Sequence, residues 1–374
     1  MFNIKSKKKK KNGDHNGQDE IQVDKETDKP TTAWERLREF HPCHELPIDM
    51  YLQRPPDTNS LRFVCMSDTH GAAENERRKY HKRIPDGDVL IHSGDFSMAG
   101  DPSEIMRFDS FMSKLPHPVK LVIAGNHELT FEDYNHGTHP TLLRQKLGLP
   151  IRSTEEEVVV ACKDLLQHLL YLQDETLTIC GINIYCTPWV PLFGSWAFGV
   201  RRGENLLEVW NKIPSDTDIL VTHGPPCGYG DTVGGDNHAG CVELLNTVVK
   251  RVKPKFHVFG HIHSGYGMWT NKTTTFINSA VCSSKYTPDN DPIVFDLPLP
   301  KGYSRSDFAE LSTEKLRQAR QISSDKVNEG CCEEIRDSLE TNGAAQYSAV
   351  QKELLEKRSA YIDEIATGML SVHL

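Results

Sequence analysis

The sequence predicts an α/β fold with its chemistry on loops, and two observations carry that prediction. From Leu61 onward, short runs of β-branched and apolar residues alternate with loops and helical stretches. Five of these runs end alike, an apolar strand followed at once by polar residues able to bind a metal or move a proton. They are VCMSDTHG (Asp68, His70), VLIHSGDF (Asp95), LVIAGNHE (Asn126, His127), ILVTHGPP (His223) and HVFGHIHSG (His261, His263). Continuous apolar strands are buried on both faces, so the groups at their carboxyl ends should converge on one rim of a covered sheet.

Strands are expected at 61–66, 89–92, 119–124, 177–179, 182–186, 219–222, 256–259, 274–277 and 293–295. Helices are expected at 103–115, 155–166 and 242–251, the first capped by Ser103. These elements form a domain over 61–303. Before it, residues 31–60, with Trp34, Phe40 and several prolines, read as an ordered lead-in. Residues 1–30 carry almost no large apolar side chains and cannot offset their ordering entropy, so a disordered tail is expected there. The lysines from Lys7 to Lys11 suit a solvated tail, a nuclear address or contact with an anionic membrane surface. Phe2 excludes glycine myristoylation. Beyond Tyr303 the strand signal stops, and 304–374 reads as a helical extension in which Val350, Leu354, Leu355, Tyr361, Ile362 and Ile365 recur at nearly helical spacing.

Composition narrows the class. With 374 residues and 37% hydrophobic content, the chain can bury a substantial core, and its formal charge of -9 argues against general attraction to nucleic acid. No apolar run approaches the ~20 residues of a membrane span, and the lysine-rich start is no signal peptide. The ten cysteines show no C-x-x-C spacing and suit a reduced, cytoplasmic setting. Nothing in the sequence fixes an oligomeric state.

The five motifs supply seven N and O donors for two cations. Asp68, His70, Asp95 and His263 would hold one, and Asp95, Asn126, His223 and His261 the other, with the two carboxylate oxygens of Asp95 bridging them. In Gly-His-x-His on an extended loop, alternate side chains point the same way, so His261 and His263 could approach adjacent ions. Imidazole with carboxylate suits manganese foremost, with iron, zinc or cobalt as alternatives, rather than calcium, magnesium or an iron–sulfur cluster. Asp68 and Asp95 neutralise only half the charge of two divalent ions. The pocket therefore favours anions, and a hydroxide together with a phosphodiester, one negative charge each, would balance the remainder, which favours a diester over a monoester dianion. Paired ions lower the pKa of a bridging water and clamp the oxygens of an in-line displacement, so hydroxide attack on a phosphoester follows. His127, beside Asn126, is assigned as general acid. His92 and His257, inside strands, read as buried or supporting histidines.

Together DTHG, HSGDF, AGNHELTF, THGPP, GCVELLNT, HVFGHIHSGYG and IVFDLP resemble the calcineurin-like metallophosphoesterase superfamily, and within it the metallophosphoesterase-domain-containing (MPPED) family. The likeness spans about 61–300. It implies a two-layer β sandwich flanked by helices, two metals at the seven positions above, and hydrolysis of phosphodiesters, cyclic nucleotides among them. Some MPPED relatives carry glycine where His261 stands, so this chain is expected to be more fully active than they are. The superfamily also contains phosphomonoesterases, phosphoprotein phosphatases and a non-catalytic scaffold of the retromer coat. A scaffold can lose metal histidines, whereas all seven donors and His127 are retained here.

For the organic part of the substrate, the loop TPWVPLFGSWAFGVRRG offers Trp189, Phe193, Trp196 and Phe198 beside Arg201 and Arg202. Trp189 could stack on a base and Arg201 meet phosphate, with Asn126 and His127 completing the contacts. The same rings would equally serve to close the core.

Overall fold

The computed structural model describes residues 21–53, 57–132, 144, 148–150 and 153–320. Its strands form two large sheets rather than one. The first has the order β14-β2-β3-β4-β5, in which β2 (Ser60–Met66), β3 (Val89–His92), β4 (Val119–Val122) and β5 (Leu170–Tyr171) are parallel and β14 (Ile293–Pro298) is antiparallel. The second has seven strands. Its parallel centre is β13 (Thr275–Asn278), β11 (Phe256–Phe259), β10 (Ile219–Thr222) and β7 (Ile182–Thr187). Antiparallel β12 (Gly267–Thr270) and β1 (His44–Leu46) flank one side, and β6 (Glu175–Ile179) the other. Short β8 (Val190–Pro191) and β9 (Gly199–Val200) pair separately.

Alternation along the strands explains why the sheets stack. Leu61, Phe63 and Cys65 of β2, Val89 and Ile91 of β3, Ile182 and Ile184 of β7, and Ile219 and Val221 of β10 share one buried cluster between the sheets. Phe295 ties the layers, its ring 4.9 Å from Phe63 and 3.8 Å from Phe256 with near-parallel planes. The intervening residues face outward onto helices. Met66, Leu90 and Val122 pack with Ile105, Phe108 and Met112 of helix Pro102–Ser113 and with Val158 and Ala161 of helix Glu155–Asp164. Tyr185, Leu220 and Phe259 pack with Leu206, Val209 and Trp210 of helix Glu204–Trp210 and with Val242 and Leu245 of helix Val242–Asn246. The result is the sandwich flanked by helices that the resemblance implies. The single covered sheet inferred from the strand runs is corrected: burial on both faces arises because each sheet has its partner sheet on one side and helices on the other.

Local expectations are also refined. Helix Pro102–Ser113 is capped by Asp101, not Ser103. Asp101 Oδ1 accepts from Ser103 N at 2.9 Å, Glu104 answers at the Asp101 N–H, and Pro102 opens the first turn. The expected helix 242–251 continues past Asn246 as the wider π turns of Thr247–Val252. The tail boundary near residue 30 falls too late. Ile21 is buried, and Arg36 pairs with Asp24 at 2.7 Å and Glu26 at 3.1 Å. Helix Pro30–Leu37 then lays Trp34 over Gly228, where a Cβ would collide with the indole. At the other end, Phe308, Leu311 and Leu316 join the inter-sheet core. The lysine run, Cys331, Cys332 and the apolar repeat from Val350 lie outside the described residues. Among the described residues, no helix is long and apolar enough to cross a membrane, and all eight cysteines are free.

Candidate metal centre

Asp68 and His70 follow β2, Asp95 follows β3, and Asn126 and His127 follow β4, whereas His223 follows β10 and His261 and His263 follow β11. The site therefore lies where the carboxyl ends of two parallel strand sets meet. Backbone bonds join the sheets there, as Ser67 N donates to Ser279 O at 2.9 Å and Val281 N to Ser67 O at 3.0 Å, while Gly260 N, donating to His223 O at 2.8 Å, ties the two loops of the second sheet. His261 N donates to both carboxylate oxygens of Asp68 at 3.0 Å, linking the motifs directly.

Backbone geometry marks the site independently of its side chains. Asp68, His70, Asp95 and His261 have φ of 53°, 44°, 56° and 67°, a left-handed conformation costing about 1–3 kcal/mol per non-glycine residue. Such conformations persist where surrounding bonds fix them, as Asp68 N to Gly94 O at 2.9 Å and His70 N to Asp95 O at 3.0 Å do here. The extended Gly-His-x-His loop is thus corrected, since His261 is left-handed and His263 begins a 3-10 turn. Glycine precedes the site residues for close approach. A Cβ at Gly125 would collide with Asp95 Oδ1 and His223 Cε1, and one at Gly260 with Asp68 Oδ2 and Ser67 Oγ.

The donor atoms fall into three overlapping groups, Asp68–His70–His263, His70–Asp95–His127 and Asp95–His223–His261, each with its atoms within 4.8 Å of one another. Asp95 Oδ2 stands 3.3 Å from His223 Nε2 and 3.8 Å from His70 Nε2, between the two histidine sets. Asn126 Oδ1 lies 3.0 Å from His223 Nε2. His263 Nε2 lies 3.4 Å from Asp68 Oδ1 and 3.2 Å from His70 Nε2.

The chemistry of this donor set fits bound cations. His70, His223 and His263 each direct Nδ1 at a carbonyl oxygen, of Ser97 (3.2 Å), Ser93 (2.8 Å) and Ser283 (3.0 Å). A carbonyl only accepts, so Nδ1 carries a proton, and each ring when neutral offers its lone pair at Nε2. With both rings neutral, His70 and His263 would present two lone pairs to each other at 3.2 Å, a repulsion that a shared cation would turn into ligation. The His/Asp groups together suggest binuclear divalent metal binding.

Charge and burial shape the titration of the metal-free site. Burial would depress the His223 imidazolium, but the Asp95 carboxylate overrides it and pushes its pKa up to about 9. Burial opposes ionisation of Asp68, yet the His263 hydrogen bond and the nearby His263 and His223 charges hold it down to about 2. Asp95 is likewise held well below the usual range by His223, against its burial. Burial lowers His70 and His261 to about 4. Behind the site, burial first and the Asp95 charge second push Glu128 up to about 8.

All seven predicted metal ligands and His127 meet in this cluster. The ring of His127 is held by a bond from Nδ1 to Met98 O at 2.8 Å, and the His127 backbone N–H donates to Asp95 Oδ1 at 2.8 Å. Two predicted substrate contacts fare differently. Trp189 is half-buried, and its Nε1 donates to Asp174 at 2.8 Å while its ring packs at a steep angle to Phe198, so it braces the loop and the core. Arg201 is exposed, and none of the bonds that hold the cluster involves it. His92 and His257 are buried as expected and face Thr69 Oγ1 and Thr222 Oγ1 at 3.1 and 2.8 Å.

Sequence reasoning missed Glu128 and Tyr286, and named Trp196 only as one of several rings on its loop. Glu128, within the GNHE motif, accepts from Asp95 N, Gly125 N, Ser97 N and Ser97 Oγ and so fixes two of the ligand loops. Its place beside His127 was the available signal. Trp196 stacks on His127 at 4.1 Å, and Tyr286 sets its ring edge against His70 at 4.8 Å. Tyr286 lies in no motif, and no sequence signal pointed to it.

A family model described as calcineurin-like phosphoesterase matches residues 61–265. Metallophosphoesterase domain-containing protein 1 of Homo sapiens is 43% identical over 75% of this chain and 86% of its own length. A UPF0046 protein of Caenorhabditis elegans is 42% identical over 73% of this chain and 69% of its own. Among solved structures, phosphopantetheinyl hydrolase from Mycobacterium tuberculosis aligns with 66% of this chain and 99% of its own, at 12% identity and a TM-score of 0.43.

Proposed function

We propose, from the premise that this chain belongs to the calcineurin-like phosphoesterase family, that it is a binuclear metal-dependent phosphodiesterase. Asp68, His70, Asp95 and His263 would hold one ion, and Asp95, Asn126, His223 and His261 the other. When bound, two such ions supply Lewis acidity, activating water and offsetting charge on phosphoryl oxygens. The observation that carries this reading is the approach of His70 Nε2 to His263 Nε2 at 3.2 Å, with both Nδ1 atoms committed to carbonyls.

The chain's own residues supply the rest. His127, with Nδ1 donating to Met98 O, keeps Nε2 free to hold a proton and pass it to the leaving oxygen. Glu128 accepts from four donors and so keeps the Asp95 and Asn126 loops in register. With only Asp68 and Asp95 as anionic donors, two divalent ions leave excess positive charge. That excess would be balanced by a hydroxide and a phosphodiester monoanion, one negative charge each, with cyclic nucleotides among the candidates; imidazole with carboxylate suits manganese, iron, zinc or cobalt, and manganese is the first choice here.

The test compares bis-p-nitrophenyl phosphate with p-nitrophenyl phosphate in Mn2+. The diester should show at least about tenfold higher kcat/KM, equivalent to about 1.4 kcal/mol in the barrier. A higher kcat/KM for the monoester would reassign the chain as a phosphomonoesterase.

A further inference from the structure

Two aromatic rings that the metal chemistry does not need border the cluster, and they meet at the same imidazole. Trp196 lies nearly flat on His127, with centroids 4.1 Å apart and planes at 29°. Tyr286 stands edge-on to His70 at 4.8 Å and to His263 at 5.4 Å, and approaches His127 at 6.3 Å. Tyr286 is also 43% exposed and left-handed, with φ 56°. A bulky ring held in a left-handed conformation, packed on one side only against the metal-site histidines and open to water on the other, leaves aromatic surface free at the mouth of the site.

The surroundings point the same way. Four of the large apolar side chains exposed among the described residues, Met98, Leu192, Phe193 and Tyr286, stand on loops that border the site. Met98 supplies the carbonyl that holds His127, and Leu192 and Phe193 precede Trp196 on its loop. Exposed apolar surface gathered beside a polar cluster marks a place where an apolar group is bound. The cluster itself accounts for a phosphoryl group, so the rings remain for whatever that group is attached to.

We infer that Trp196 and Tyr286 form the subsite for the non-reacting group of the substrate, and that the site selects phosphoesters whose organic group is a planar aromatic ring. Ring on ring contact adds about 0.5–1.5 kcal/mol beyond area burial. This replaces Trp189 and Arg201 as the residues that set specificity. The inference takes its reaction from the phosphodiesterase reading, while the subsite can be tested by binding alone.

The binding arm measures phenylphosphonate and methylphosphonate by calorimetry on the Mn2+-loaded full chain. Phenylphosphonate should bind about tenfold tighter, and that preference should vanish in a Trp196→Leu, Tyr286→Leu double variant. Both positions are partly exposed, so the variants should fold, as circular dichroism would check. The kinetic arm compares phenyl p-nitrophenyl phosphate with methyl p-nitrophenyl phosphate. Both release p-nitrophenolate, so leaving-group reactivity is constant, and the phenyl preference should appear in KM rather than kcat. Equal binding of the two phosphonates by the unaltered chain, or a preference that survives the double substitution, would overturn the inference. Phosphonate selectivity without turnover of either ester would uphold the subsite and sink the hydrolase reading instead.

Discussion

His127 has one nitrogen tied to Met98 O, a backbone N–H tied to Asp95 and a ring face covered by Trp196, so little about its position is left to chance. His127→Ala should keep the bound metal and lower kcat by about 10²–10⁴-fold, read by steady-state kinetics alongside metal analysis. An undiminished kcat with full metal content would remove the acid role. A second residue gives a pH prediction. Among the described residues, no other residue hydrogen-bonds to either buried carboxylate oxygen of Glu74, and burial pushes its pKa up to about 7 from an ordinary 4.5. A raised carboxyl pKa means that the fold prefers the protonated form. The associated stability is full below about pH 4.5 and is lost as pH rises through about 7, on the order of 3 kcal/mol. Glu74→Gln should flatten denaturation midpoints across that span, and an unchanged pH slope would contradict it. The seven donors were legible because each ends an apolar strand behind a short polar motif. Trp196 was named among the rings of its loop, but its place on His127, like that of Tyr286, came from loop paths that no local pattern encodes, and Glu128 was visible but had no partner assigned.

At the scale of elements, the sequence yielded β3, β10 and β11 at their observed bounds, because their apolar runs are bounded by polar turns. It missed β1, β12 and helix Pro30–Leu37. These are short, and tertiary pairing rather than propensity makes them. The amino-terminal segment is thereby redefined. Trp34 covers Gly228, Thr31 Oγ1 accepts from His238 N at 2.9 Å, and Tyr229 OH donates to Pro42 O at 3.0 Å. This strap holds the loop that leads away from His223. Removing residues 1–20 should leave kcat/KM intact, whereas removing 1–37 should lower the melting temperature by several degrees, about 2–4 °C per kcal/mol lost in a domain of this size. A loss of activity from the shorter deletion, or none of stability from the longer, would refute this division.

For the whole molecule, the two-sheet arrangement explains why donors so far apart in sequence can share an ion. Each sheet contributes an incomplete set, and the sandwich closes the two sets on one another. A single sheet could be read from the runs of apolar residues, but which face meets which could not, because alternation within a fully buried strand leaves no polar side to orient it. The most direct measurement is calorimetric titration of the metal-free full chain with Mn2+. About two ions per chain should bind to the natural sequence, and Asp95→Asn, which lacks the second anionic oxygen, should bind about one and lose nearly all turnover. Binding of no Mn2+, or two ions retained with full turnover in Asp95→Asn, would contradict a bridged pair held by these seven side chains.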